Sequence, residues 1–270
     1  QIAARWPRFV PAWLHKGLAH RQLNQQKQAY AAFIKAVGEQ DVLKNDLVFA
    51  LSMAAETAMA IRSYDDAVKQ LQRLSRIDGR YKWTMQTGLA LEKSHHFNNA
   101  MQAYFEAGKM ATSAAGKSAA LLAAGNMALK LNNRKTAYRC FQQAQIHDPG
   151  NVAAIRGLAQ LAYQDGEYER AEGWLKRLER AALAEEDRLL LVNIHIHRQN
   201  QSAAIKELES LIKMRGGSAG TEMLEQLANL YEETGRLSES ISLFQTLSGR
   251  HPKNGRIRLR YASLLTKSGQ

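Results

Sequence analysis

The chain has 270 residues, 45% hydrophobic and 23% charged, with four prolines, one cysteine and a formal net charge of +12. That length is ample for a buried core, and the apolar share argues against wholesale disorder. One cysteine excludes an intrachain disulfide framework and a cysteine-rich metal site, and no uncharged apolar run is long enough for a transmembrane helix. Scarce proline and heavy use of Ala, Leu, Gln, Lys and Arg predict helix throughout, with no alternating apolar run flanked by hairpin turns.

Taken in chain order, the helices repeat. A first copy begins at Val10 with Trp13, Gly17, Ala29, Phe33 and Ala36. A second begins near Val48 with Ala55, Ala67, Leu71 and Leu74, and a third near Tyr81 with Gly88, Ala100, Tyr104 and Ala107. The fourth, Ser118 to Asn151, carries Gly125, Ala137, Phe141 and Ala144 and closes on Asp148-Pro149-Gly150-Asn151. The fifth, from Val152, lies over it without gaps: Ala159, Gly166, Ala171, Leu175 and Leu178. A sixth starts near Glu185 (Val192, Ala204, Leu208, Leu211) and a seventh at Thr221 (Leu224, Ala228, Tyr231, Gly235, Ser240, Phe244, Leu247, Pro252). An eighth opens at Gly255 and reaches Ala262, Leu265 and Gly269. Successive starts differ by 38, 33, 37, 34, 33, 36 and 34 residues, so the insertions are expected in the loops between repeats.

These residues resemble the tetratricopeptide repeat (TPR) family, whose copies of ~34 residues place a Trp, a small residue and a Tyr on the first helix and an Ala, an aromatic and a Pro beyond it. The resemblance implies an all-α, right-handed superhelical solenoid of helix-turn-helix repeats, seven in residues 10–254 and a truncated eighth in 255–270. Residues 1–9 are expected to end a preceding repeat. The chain begins without Met and stops within a repeat, so it reads as part of a longer protein. Each hairpin is unable to bury its apolar stripe alone and stacks on its neighbours; Gly or Ala sits where backbones approach closely, and the aromatic fills the adjacent gap.

The resemblance also implies that partners dock on the first helices, at positions 2, 5, 9, 12 and 13 of each repeat, along a concave groove. Position 9 is Asn126, Gln160, Asn193 and Asn229 in four consecutive repeats. Stacked carboxamides offer both a donor and an acceptor to an extended peptide backbone. Arg156 and Tyr163 stand beside them, and Glu222, Glu225, Glu232 and Glu233 on the seventh first helix predict an acidic stretch of groove. The Lys/Asn carboxylate clamp of TPR co-chaperones is not matched, because Leu122 precedes Asn126 and Leu189 precedes Asn193 where the clamp needs a base.

The basic surplus lies at the ends: Arg5, Arg8, Lys16, Arg21, Lys27 and Lys35 precede the first acid, Glu39, and Arg250, Lys253, Arg256, Arg258, Arg260 and Lys267 close the chain. These alternate with core positions instead of clustering with exposed aromatics, so nucleic acid is not the expected partner. His195 and His197, two apart on a helix, point about 200° apart and cannot grip one ion. His95 and His96 fall in a turn, Cys140 reads as a small buried hydrophobe, and Trp83 and Trp174 as packing residues. There is no phosphate loop, H-E-x-x-H or nucleophile elbow, so no catalysis, cofactor or metal is expected. The expectation is a protein-binding scaffold, cytoplasmic or periplasmic. Alternatives are a periplasmic spacer of an outer-membrane exopolysaccharide export protein, which such Ala/Gln/Arg-rich arrays resemble in composition, and an accessory domain of a TPR-fused transferase.

Overall fold

The computed structural model describes residues 9–38, 42–178 and 183–269. Among these are fifteen α-helices, one 3-10 turn (Gly216–Ser218) and no strand. The expected tail of a preceding repeat at 1–9 lies, Phe9 apart, outside the described residues. The chain forms two compact units, one up to Ala154 and one from Ile155.

The first unit contains α1 (Val10–Gln22), α2 (Gln26–Gly38), α3 (Lys44–Ala60), α4 (Tyr64–Asp78), α5 (Tyr81–Lys93), α6 (Phe97–Met110), α7 (Ala114–Lys130) and α8 (Arg134–His147). Each packs on the helix before and after it. Helices two apart also meet: Arg21 on α1 pairs with Glu56 on α3 at 3.3 Å, and Lys130 on α7 with Glu92 on α5 at 2.7 Å. The odd-numbered helices therefore share one face of the unit. The second unit takes up α9 (Val152–Gln164, whose first turn belongs to the first unit), α10 (Tyr168–Leu175), α11 (Glu185–His197), α12 (Gln201–Arg215), α13 (Thr221–Glu233), α14 (Leu237–Arg250) and α15 (Gly255–Lys267).

The core of the first six hairpins is a size match, whereas the seventh packs Phe244 with Ala228. Ala29, Ala67, Ala100, Ala137, Ala171 and Ala204 on the second helices are fully buried, as is Ser240 at the same place in the seventh repeat. On the first helices, Gly17, Gly88 and Gly125 each lie under a ring: a Cβ built there would stand 2.5 Å from Phe33, Tyr104 and Phe141 respectively. The aromatic thus packs on the glycine itself. Where the small residue is Ala55, Ala159 or Val192, the residue sixteen further on is Leu71, Leu175 or Leu208, all buried. The extra methyl groups of one partner replace part of the ring of the other, which keeps the interior filled.

A left-handed residue follows the first helix of every repeat. Positive φ occurs at Asn24, Arg62, His95, Asn132, Gly166, Gln199, Gly235 and Gly269. Each lies fourteen residues after its repeat's first residue as read from sequence, from Val10 to Asn24 through Gly255 to Gly269. The geometry is common to all, yet only three of the eight are the glycine that left-handed backbone favours.

One expectation about the insertions is corrected. The longest spacings, before Val48 and Ser118, are not taken up only in loops: α3 and α7 each run to 17 residues and begin at Lys44 and Ala114, four residues early. Four added residues make about one more helical turn, so they extend the helix in register with its buried stripe. At the junction into α9, Asn151 accepts from the Ala154 N–H at 3.0 Å and donates to Ser118 Oγ at 2.8 Å, while Ser118 donates to the Ala144 carbonyl at 2.8 Å. The Pro-Gly turn is tied to both flanking helices by this relay.

Candidate functional site

The position-9 carboxamides are exposed in both units. Asn126 lies on α7 in the first unit; Gln160, Asn193 and Asn229 lie on α9, α11 and α13 in the second. None of the four side chains has a hydrogen bond among the described residues. Their neighbours explain why they face out. Val192 and Ile194 flank Asn193, and Ala228 and Leu230 flank Asn229, all buried, so the helix period turns the amide to solvent.

The other residues singled out in sequence are more committed. Arg156 grips Asp187: its Nε donates to both carboxylate oxygens at 2.8 and 2.9 Å, and Nη2 donates to Oδ2 at 2.7 Å. Asp187, 4% exposed, also accepts from the Ala184 N–H at 2.8 Å and so caps α11. The Asp187 hydrogen bond holds the Arg156 guanidinium more basic than usual, against a smaller desolvation effect. The Arg156 guanidinium is thus held in place by Asp187.

Tyr163 belongs to an aromatic group that its own helix does not reveal. Its ring centroid lies 5.7 Å from Tyr168 and 5.8 Å from His197, while Tyr168 and His197 stack at 4.7 Å with planes 5° apart. His195, by contrast, is buried, with Nδ1 unpartnered. Burial lowers its imidazole below the ordinary value, with Glu172 and Glu207 pulling the other way. The two histidines diverge as their spacing requires, and among the described residues no group of three His, Cys, Asp or Glu is placed to hold a metal.

The acidic stretch expected on the seventh first helix is corrected. Glu222 and Glu233 are exposed, but Glu225 is clasped by Arg256 (2.8 and 2.6 Å), and Glu232 by Arg260 (2.6 Å) and Lys267 (3.1 Å). The two acids are 13% and 14% exposed, whereas their cations on α15 range from 46% to 75%. The base layer covers the acid layer because α15 supplies Arg256, Arg260 and Lys267 at helical spacing above α13. An open cleft of 860 Å³ lies between these helices, with Asn229 and Ser263 on its walls.

Residues 10–40 and 121–187 match family models described as tetratricopeptide repeat. No curated protein matches the chain in sequence. Among solved structures, the C-terminal part of a TPR repeat-containing protein from Cytophaga hutchinsonii is similar at TM-score 0.71 and 15% identity, covering 90% of this chain and 97% of that one. A tetratricopeptide repeat protein from Parabacteroides merdae covers 95% of this chain and 98% of its own at TM-score 0.56 and 11% identity. YrrB, described as a TPR protein with an unusual peptide-binding site, covers 77% of this chain and 96% of its own at TM-score 0.50 and 13% identity. These matches and the hairpin packing support the TPR family and define the class as a helical-repeat fold. No helix among the described residues is long and apolar enough to cross a membrane.

Proposed function

We propose that this chain is a non-catalytic TPR scaffold that binds an extended segment of another protein along the face of its first helices. The observation that carries the reading is the set of exposed, unpartnered carboxamides Gln160, Asn193 and Asn229 at equivalent positions of α9, α11 and α13. Each carboxamide both donates and accepts, which suits the alternating N–H and C=O of a peptide main chain. Asn126 offers the same group in the first unit. Arg156, oriented by Asp187, and Tyr163, in its aromatic group, supply a cation and an apolar face for the segment's side chains. Glu225 acts by presenting Arg256, and Glu222 stands free at the start of α13. YrrB, a structural neighbour described as having a peptide-binding site, supports the same use of the fold.

The test is a peptide selected from a random dodecapeptide library on the immobilised protein. Its affinity is expected to fall about tenfold in Asn193→Ala/Asn229→Ala, the loss of two hydrogen bonds of about 0.5–1.5 kcal/mol each, with the melting temperature unchanged. Equal affinity of every selected peptide for both proteins overturns the reading.

A further inference from the structure

The second helices carry a feature that binding along the first helices does not use. In the first unit a trench of 590 Å³ runs between α4 and α6, with α5 as its floor. That volume is within the range of roughly 300–1,000 Å³ usual for ligand sites. Gln72 and Arg76, four apart, stand on the α4 wall; Asn99, Gln102 and Glu106, at spacings of three and four, stand on the α6 wall. Residues so spaced share one helix face. All five are exposed, and none has a side-chain hydrogen bond or ion pair among the described residues.

The floor has a different character. Thr84 and Thr87 are 6% and 5% exposed. Thr87 Oγ1 donates to the Trp83 carbonyl at 2.9 Å, and Thr84 Oγ1 shares a hydrogen bond of 3.0 Å with Ser75. A hydroxyl oxygen that has donated its proton keeps acceptor capacity, so the floor still accepts. Elsewhere on this molecule Glu225 and Glu232 on α13 are paired by cations two helices on, on α15. Here an arginine, a glutamate and three carboxamides converge on one trench and bond to nothing.

The chemistry selects an occupant. One Arg and one Glu leave the trench without net charge, which does not suit a polyanion. No aromatic ring lines it, so it offers no platform on which a base could stack. Three carboxamides and the hydroxyls of Ser75, Thr84 and Thr87 demand a ligand that supplies donors and acceptors in alternation, as a polypeptide main chain does. The α6 wall from Asn99 to Glu106 is about 10 Å long, the span of about three extended residues. We propose that this trench is a second peptide-binding site. It takes a short extended segment of a partner protein that carries one acidic side chain for Arg76 and one basic side chain for Glu106.

The experiment uses the whole chain and peptides selected on it from a random dodecapeptide library, each synthesised and titrated by calorimetry. A class of peptides bearing an acid and a base is expected, weakened about tenfold by Asn99→Ala/Gln102→Ala and unaffected by Asn193→Ala/Asn229→Ala. The charge exchange Arg76→Glu/Glu106→Arg should reverse the order of acid and base in the peptides it selects. The five positions are exposed, so the variants fold, and circular dichroism checks this. The proposal is overturned if no selected peptide responds to Asn99→Ala/Gln102→Ala, or if the charge exchange leaves the selected order unchanged. Peptides that respond only to Asn193→Ala/Asn229→Ala uphold first-helix binding and overturn the trench. Peptides that respond only to the trench variants do the reverse.

Discussion

Phe141 occupies the space that a side chain on Gly125 would need: its Cε1 lies 2.5 Å from where a Cβ would stand, and Cys140 Cβ lies 3.1 Å away on the same side. Phe141 is itself 1% exposed, so the ring has nowhere to retreat. Gly125→Val is therefore expected to lose about 2–3 kcal/mol by overpacking, in spite of the helix propensity gained over glycine. Adding Phe141→Leu recreates the Val192–Leu208 pair, whose residues share a packed cluster, and should restore part of the loss. Urea unfolding of the two single variants and the double variant measures the coupling; strict additivity would contradict the size match.

The left-handed turns predict a gain. Arg62 (φ 61°) and Gln199 (φ 56°) adopt a backbone that costs an L-residue about 1–2 kcal/mol, where Gly235 (φ 78°) adopts it freely. Arg62→Gly and Gln199→Gly should each stabilise by about 0.5–1 kcal/mol, the remainder being offset by glycine's larger unfolded-state entropy. Gly235→Ala should destabilise by about 1 kcal/mol. Thermal unfolding checks the opposite signs.

Asp187 joins a bidentate ion pair to a helix cap in one nearly buried carboxylate. Asp187→Ala is expected to cost about 2–4 kcal/mol, because the cap and the charge-assisted pair are lost together. Glu222→Ala, an exposed change on α13, should stay within about 0.5 kcal/mol. Equal effects in the two unfolding curves would contradict the assignment.

Burial pushes the Cys140 thiol up to about 11. The folded protein keeps this proton where the unfolded chain has released it, so the group's contribution to stability is intact below about pH 9. It declines as pH rises from there toward 11. Cys140→Ala should flatten that decline. At pH 8 a thiol-reactive dye should label native protein only through opening, and faster in Gly125→Val, which crowds the same spot.

Much of the fold is legible in sequence because its determinants are local. Gly17, Gly88 and Gly125, each followed by an aromatic sixteen residues on, keep phase with the buried alanines, so the hairpin packing follows from spacing. The extra turn on α3 and α7 was not legible, since a spacing of 38 or 37 does not say whether the surplus is coil or helix. The site was half legible. Exposure of Asn126, Gln160, Asn193 and Asn229 follows from their place between buried neighbours. The pairs Arg156–Asp187 and Glu225–Arg256 do not, because both partners stand 31 residues apart on helices brought together by stacking. The covered state of Glu225 and Glu232 depends on α15, whose basic residues look in sequence like a surplus at one end. The trench carries no motif at all: its five side chains are ordinary solvated residues until α4 and α6 lie side by side.

The central claim, that exposed carboxamides of the first helices hold a peptide main chain, is tested most directly by the side-chain amide resonances of Gln160, Asn193 and Asn229. In a nitrogen-15 spectrum titrated with a selected peptide, these resonances should shift in a saturable way, at the affinity that calorimetry gives. Binding by every selected peptide with all three resonances unmoved would contradict the account.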